Sequence, residues 1–335
     1  MERIVLAYSG GLDTSVAIPW LAEKYHAQIV AVTLDMGQGK ELEDVRDRAL
    51  AAGAARAHVL DVREEFAREY VLRALKADAL QENRSPMAKA LGRLLIASKL
   101  VEIAGIEQAA AVAHGSAGSG ADREALDVAV RSLRPQLSVI APVRDWGMTR
   151  PAEIAYARSR GIPILAESLD TLTESPASCP NEPAYVEILF ERGEPTAING
   201  VAMPLVDLIA NLGTIAGSHG VGRVDEAYEA PAATVLHAAH RELQRRVTND
   251  ADPMSHQYGE MVHSGLWFTP LRDALDAYVQ KLQEHVTGAI RLKLFKGDCQ
   301  VVGLATGLRS SSFGQARRSA EGAEASSRSP AKVNA

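Results

Sequence analysis

Only two cysteines, Cys179 and Cys299, stand among 335 residues, too few for a disulfide framework or a cysteine-rich metal cluster. The chain also lacks a basic excess. Its 36 Lys and Arg against 42 Asp and Glu leave a net charge of −6, which argues against a constitutive nucleic-acid binder. No apolar stretch approaches the roughly 20 residues that a membrane-crossing helix needs. The first ten residues read as a strand and lack the basic, apolar and cleavage regions of a secretory signal. No internal repeat is evident. What remains is 47% apolar and 23% charged, the balance of a globular enzyme, expected to be reduced and cytoplasmic and long enough for two domains.

The first 165 residues alternate short apolar runs with amphipathic segments. Residues 3–8, 28–34, 57–60, 109–114 and 137–142 are expected strands. Between them, 41–52, 88–104 and 150–160 carry helical spacing, with Thr149 as candidate cap and Pro151 in the first turn of the last. Pro19 interrupts another helical stretch and should kink it. This alternation predicts an α/β fold with a parallel, doubly wound sheet, whose ligands bind beyond the carboxyl ends of the strands. Residues 166–183, rich in Ser, Thr and Pro, read as a linker or active-site loop. An α+β domain is expected over 184–308, with hairpins at 185–199 and 289–304 and helices near 204–217, 231–247 and 256–285. Residues 309–335 fall into Ser, Ala, Arg, Gly and Glu, a composition expected to stay disordered.

The strongest chemical signal is Ala7-Tyr8-Ser9-Gly10-Gly11-Leu12-Asp13-Thr14-Ser15, at the end of the first strand and the start of a helix. Two glycines let backbone approach phosphate oxygens without a Cβ in the way. Successive N–H groups and the helix N-terminus offer partial positive charge, and Ser9, Thr14 and Ser15 add hydroxyls. The lysine of the kinase-type phosphate loop is missing. The pattern is instead that of PP-loop pyrophosphatases, which break ATP between its α and β phosphates. Asp13 is a candidate helix cap or magnesium-side carboxylate. The second strand ends in Thr33-Leu34-Asp35-Met36-Gly37-Gln38-Gly39, a loop placed to take an adenosine.

Together these two segments resemble the argininosuccinate synthase family, and the likeness runs through residues 2 to 305, densely at 265–272 and 286–297. The resemblance implies a PP-loop domain joined to a second domain that completes the site, with ATP and Mg2+ as the cofactors. It implies a ligase that adenylates a ureido oxygen, releases pyrophosphate and lets an amine displace AMP. It implies phosphate binding by residues 7–15, adenosine flanked by Leu34 and Gln38, and Gly115 and Gly118 near the ribose or α-phosphate. Asp122 would meet the incoming amine, with Asp13 as its catalytic companion.

Several substrate positions depart from the family pattern. The block resembling E-G-R-Y-x-x-[ST]-[ST] places Ser85 where the tyrosine stands, and Ala88 and Lys89 where the hydroxyls stand. In the block resembling H-G-C-T-G-K-G-N-D-Q-V-R, Ala117 and Ala121 replace the aspartate-binding Thr and Asn, and Ala125 replaces the citrulline arginine. Tyr228 matches a family substrate tyrosine, and Arg93 is a further substrate candidate. The stretch after Asp225 is nearly deleted, and the family's C-terminal tail is replaced. Each lost polar partner costs about 1–3 kcal/mol, so an ATP site with a rebuilt substrate site is expected. Non-standard small-molecule substrates, an amine and a carbonyl or ureido acceptor, then come first. Genuine argininosuccinate synthesis, a nucleotide-binding pseudoenzyme, and sulfur transfer through Cys179 or Cys299 are the alternatives. A homo-oligomer, dimer or tetramer, is expected. His237, His240, His256 and His263 lack zinc spacing and read as structural. His114 reads as an organiser of its glycine-rich turn, and Trp146, Trp267 and Phe268 as packing residues.

Overall fold

A computed structural model describes residues 2–38, 42–81, 85–116, 121–163, 171–225, 228–248 and 254–304, with the backbone alone at residues 121–123, 225 and 304. The expected tail and the calls on Ala117 and Gly118 lie outside these residues.

Five short strands form one parallel sheet: β1 (Arg3–Ala7), β2 (Gln28–Asp35), β3 (Arg56–Asp61), β4 (Ala111–Ala113) and β5 (Ser138–Ile140). Their order is β3-β2-β1-β4-β5. The chain therefore winds outward from β1 to one edge, returns, and enters β4 on the other side of β1. Such a reversal opens a crevice beyond the carboxyl ends of the two central strands. The helices between the strands are α1 (Leu12–Tyr25), α2 (Leu42–Ala51), α3 (residues 63–76, with a π-helical turn at Phe66–Val71), α4 (Ala88–Ile106) and α5 (Ala121–Leu133); after β5 come a single helical turn at Pro142–Asp145 and α6 (Arg150–Ser159).

Alternation along the strands divides the core. Ile4, Leu6, Ile29 and Ala31 pack with Val16 and Ile18 of α1, Val45 and Ala49 of α2 and Ala157 of α6. Val5, Val30 and Val32 face the other way, onto Leu94 and Leu95 of α4 and Ala129 of α5. Both faces are covered, as a parallel sheet requires. Pro19 lies inside α1, which nonetheless runs its full length. Thr149 stands at the N-cap of α6, but its side chain makes no capping hydrogen bond. The expected hydroxyl cap is therefore corrected: the turn begins at Arg150-Pro151, and Pro151 lacks the N–H such a cap would serve.

The second sheet is antiparallel: β6 (Ala184–Glu191), β7 (Glu194–Ile198), β8 (Val201–Ala202), β9 (Gly288–Phe295) and β10 (Asp298–Leu304), ordered β8-β7-β6-β9-β10. Val186, Ile188, Phe190, Ile290 and Leu292 pack against α7 (Leu205–Ser218) and α8 (Pro231–Thr248). The single helical stretch expected over 256–285 is two helices, α9 (Ser255–His263) and α10 (Pro270–Gln283). Gly265 turns with φ 75, Thr269 is extended, and Pro270 begins the new helix. The break lets Trp267 turn inward, stacked on Tyr70 of α3 at 5.3 Å and edge-on to Tyr258 at 6.0 Å. These aromatics join the core beneath β1 and β2, so the second half of the chain closes over the first. Residues 171–183 form no helix or strand. They are tied down at Thr173, whose hydroxyl donates to Glu229 at 2.6 Å. No helix among the described residues is long and apolar enough to cross a membrane.

Candidate active site

β1, β2 and β4 end at one level, and their loops enclose a cleft of about 410 Å³. Residues 7–9 and 11–14 line it from the first loop, Thr33, Leu34, Met36 and Gln38 from the second, and His114, Gly115 and Ser116 from the third. α2 contributes Leu42 and Val45, and α4 contributes Arg93, Ile96 and Leu100. The parallel topology explains why loops separated by about a hundred positions converge here.

The first loop holds its shape through hydroxyls. Thr14 Oγ1 donates to the Gly11 carbonyl at 3.2 Å and lies 3.2 Å from Ser9 Oγ, and Ser15 Oγ donates to the same carbonyl at 2.9 Å. Tyr8 turns inward, 3% exposed, its hydroxyl 2.9 Å from Ser15 Oγ. Burial pushes the Tyr8 phenol above its ordinary pKa, against the hydrogen bond to Ser15 and the charge of Arg48. Gly10 has φ +79, a left-handed conformation that glycine adopts freely. No side chain caps the start of α1. The first N–H groups of a helix have no acceptor within it, so these are available to an anion.

Asp13 corrects one expectation: it does not cap the helix. Its Oδ1 accepts from Arg150 Nη1 at 2.5 Å, and the same nitrogen donates to Glu153 Oε2 at 3.0 Å. Glu153 is 5% exposed, and its Oε1 has no hydrogen-bond partner. Burial first, then the Asp13 charge, push its carboxyl above the ordinary range. Two carboxylates thus share one arginine beside the first loop.

The second loop is self-supporting. Gln38 Nε2 donates to the Leu34 carbonyl at 2.6 Å, and its Oε1 accepts from the Met36 N–H at 2.7 Å. Thr33 Oγ1 donates to the Tyr8 carbonyl at 3.0 Å, tying the ends of β1 and β2 together. Val32, Leu34, Ile96 and Leu100 make this half of the cleft apolar.

The third loop turns on His114, 2% exposed. Its Nε2 lies 2.8 Å from Asp127 Oδ1 on α5, its Nδ1 accepts from the Ser116 N–H at 3.2 Å, and Arg144 Nη2 donates to Asp127 Oδ2 at 3.1 Å. Burial raises the Asp127 pKa, but the bonds from His114 and Arg144 outweigh it and hold the carboxyl below its usual range. His114, the candidate organiser, thus links α5 to the Ser116 backbone. Gly115 comes so near the first loop that a Cβ there would lie 2.9 Å from Thr14 Cγ2.

The remaining substrate candidates lie elsewhere. Ser85, Lys89 and Tyr228 do not line the cleft. Lys89 Nζ sits 4.6 Å from the centre of the Tyr228 ring. The Tyr228 hydroxyl donates to the Pro86 carbonyl at 2.8 Å and accepts from the Ala88 N–H at 3.1 Å. This cluster caps the start of α4, one turn before Arg93, which does line the cleft. Ala121 and Asp122 open α5, and their side chains lie outside the described residues.

Of the other histidines, His240 is fully buried with Nε2 2.9 Å from Gln283 Oε1, and His237 Nδ1 is 3.3 Å from Asp78 Oδ1, both away from the cleft lining. Among the described residues no group of three or more His, Cys, Asp or Glu could hold a metal ion. Neither cysteine lines the cleft. Burial, then the Asp298 charge, push the Cys299 thiol up to about 12, so it lacks the lowered pKa of a reactive thiol. Sequence reasoning missed the Asp127–Arg144 support, the Arg150–Asp13 pair and the apolar wall from α4. Only the 3.6-residue spacing of Arg93, Ile96 and Leu100 could have pointed to that wall.

The model of the argininosuccinate synthase N-terminal HUP domain matches residues 3–163, and that of the C-terminal domain matches residues 164–313. The argininosuccinate synthase of Rubrobacter xylanophilus is 47% identical over 349 aligned positions, covering 90% of this chain and 85% of that one. The enzyme of Oceanobacillus iheyensis is 44% identical, covering 90% and 84%. A 4-thiouridine synthetase solved with RNA and bound ATP aligns at TM-score 0.36 and 22% identity over 48% of this chain and 41% of that one, a likeness too slight to add to these. With both family models matched end to end and close relatives covering 90% of its length, the chain belongs to the argininosuccinate synthase family, a family of ATP-dependent ligases that form C–N bonds.

Proposed function

We propose that this chain condenses citrulline with aspartate at the cost of one ATP, releasing AMP and pyrophosphate. The observation that carries this reading is the identity of 44–47% across 90% of the chain to relatives named argininosuccinate synthase, joined to a cleft whose first loop presents an uncapped helix N-terminus. These names favour citrulline and aspartate over the non-standard substrates expected from the altered positions.

The adenosine is assigned to the apolar wall of Leu34, Met36, Ile96 and Leu100, and the phosphates to Ser9 through Ser15. The citrulline ureido oxygen attacks the α-phosphorus; the bond from that phosphorus to the bridging oxygen breaks, and pyrophosphate leaves with the bonding pair. The aspartate amine then attacks the ureido carbon, AMP departs with its oxygen, and the amine proton passes to solvent. Positioning and preorganised dipoles supply the rate, with no side-chain base required. Negative charge at a helix start gains about 0.3–1 kcal/mol from the dipole, more where partly buried. Gly115 and Gly118 approach the α-phosphate in this reading, and Asp122 receives the amine.

Mg2+ suits the donors present. It keeps several waters and takes one or two carboxylates besides phosphate oxygens, and among the described residues Asp13 is the carboxylate that lines the cleft. Bound with ATP, it would neutralise charge developing on the phosphates. The same reading divides the chain at residue 165 and gives 166–183 to a segment bordering the site.

One cluster favours a second reading, in which the acceptor is not citrulline. Tyr228 spends its hydroxyl on the Pro86 carbonyl and Ala88 N–H, with Lys89 against its ring, so a cation stands where the family presents neutral hydroxyls. Pyrophosphate release with both citrulline and aspartate, and with neither alone, supports the first reading. Silence with that pair and turnover with an anionic acceptor supports the second.

A further inference from the structure

Resting on the adenylation reading, we propose that Arg48 is a positioning residue for the outer two phosphates, seating the Gly10 turn and placing a fixed positive charge on the side where pyrophosphate departs.

Arg48 lies on α2 one turn beyond Val45, which lines the cleft; Arg48 itself does not. A Cβ on Gly10 would meet Arg48 Nη2 at 2.8 Å and Val45 Cγ1 at 3.2 Å. The guanidinium therefore packs directly on the glycine turn that orients the first loop. Its charge is unmatched: among the described residues Arg48 forms no ion pair, and its buried Nε has no acceptor. Its neighbours on the same rim differ, since Arg150 is paired with Asp13 and Arg144 with Asp127. The group facing it, one residue past β1, is the buried Tyr8 hydroxyl, a neutral group that hydrogen-bonds both Arg48 and Ser15 and brings no counter-charge. A partly buried cation without a carboxylate is costly to keep. Set beside an anion cradle, it is compensated when the anion arrives. Because the guanidinium touches Gly10 and does not line the cleft, it acts through the turn and through its field, and takes no part in bond making.

The test measures binding of inorganic pyrophosphate and of AMP to the full-length protein by calorimetry, for wild type, Arg48→Met, Arg48→Gln and Arg48→Lys. Losing one charge-assisted interaction should weaken pyrophosphate about tenfold to a hundredfold in Arg48→Met and Arg48→Gln. AMP binding should be unchanged, and Arg48→Lys should restore most of the pyrophosphate affinity. Steady-state turnover should show a raised KM for ATP and a weaker product inhibition by pyrophosphate. Equal pyrophosphate affinity in wild type and both neutral variants overturns the inference. So does an Arg48→Lys variant as weak as Arg48→Met, or AMP binding lost in proportion, either of which marks a purely structural role. A wild-type protein that binds neither ATP nor pyrophosphate sinks the underlying adenylation reading, a distinct result.

Discussion

Replacing Gly115 by alanine is expected to damage ATP binding without unfolding the protein. The added Cβ would lie 2.9 Å from Thr14 Cγ2, well inside the roughly 3.5–4.0 Å at which carbon atoms attract. Neither side yields easily. Thr14 is 6% exposed, and rotating it breaks its bond to the Gly11 carbonyl and its contact with Ser9 Oγ. The Gly115 backbone follows His114, which Asp127 holds at 2.8 Å. Overpacking of this kind costs about 1–3 kcal/mol, and the strain falls on the phosphate cradle. ATP affinity should therefore fall about tenfold or more in Gly115→Ala, read by calorimetry or by the KM for ATP. Circular dichroism should stay close to wild type and the thermal midpoint should fall by only a few degrees, the amount that about 1–3 kcal/mol of strain implies. Unaltered ATP affinity would refute the idea that the loops after β1 and β4 share one nucleotide.

Three further outcomes are expected. Tyr228→Phe removes the hydroxyl that bridges Pro86 and Ala88; about 1 kcal/mol of anchoring should go, raising the acceptor KM while the KM for ATP holds. Asp127→Asn leaves Arg144 without its counter-charge and frees the His114 tautomer; turnover should drop severalfold, with a thermal midpoint lowered by an amount matching about 1–3 kcal/mol. His240 is fully buried, and burial pushes its pKa down to about 4 from an ordinary value of 6.5. The unfolded chain therefore takes up a proton there that the folded chain refuses. Stability should fall as pH drops below about 6.5 and level off near 4, a loss on the order of 3 kcal/mol. Urea unfolding of wild type and His240→Leu at several pH values should show the acid-dependent part of the difference shrinking in the variant.

Much of this was legible in the sequence because it is local. Ser9-Gly10-Gly11 followed by Asp13-Thr14-Ser15 announces its own turn, and strand alternation at Ile4, Val5 and Leu6 fixes which side chain faces which helix layer. Both hairpins and most helix limits follow from glycine, proline and period. The support of the site was not legible, because it depends on pairs brought together only by topology. Arg150 reaches Asp13 across 137 positions, and Arg144 reaches Asp127 from a turn with no periodic signature. The break at Gly265 and Pro270 was hidden by apolar spacing that continued on both sides of it. Tyr228 could be matched to the family, but nothing local showed that its hydroxyl would be spent on the start of α4.

The central claim is that a substrate oxygen takes the α-phosphate while the outer two phosphates leave together. Citrulline carrying an 18O ureido oxygen, turned over with ATP and aspartate, tests it directly. The account predicts pyrophosphate with AMP carrying the 18O atom. ADP with orthophosphate, or AMP without the label, would contradict it.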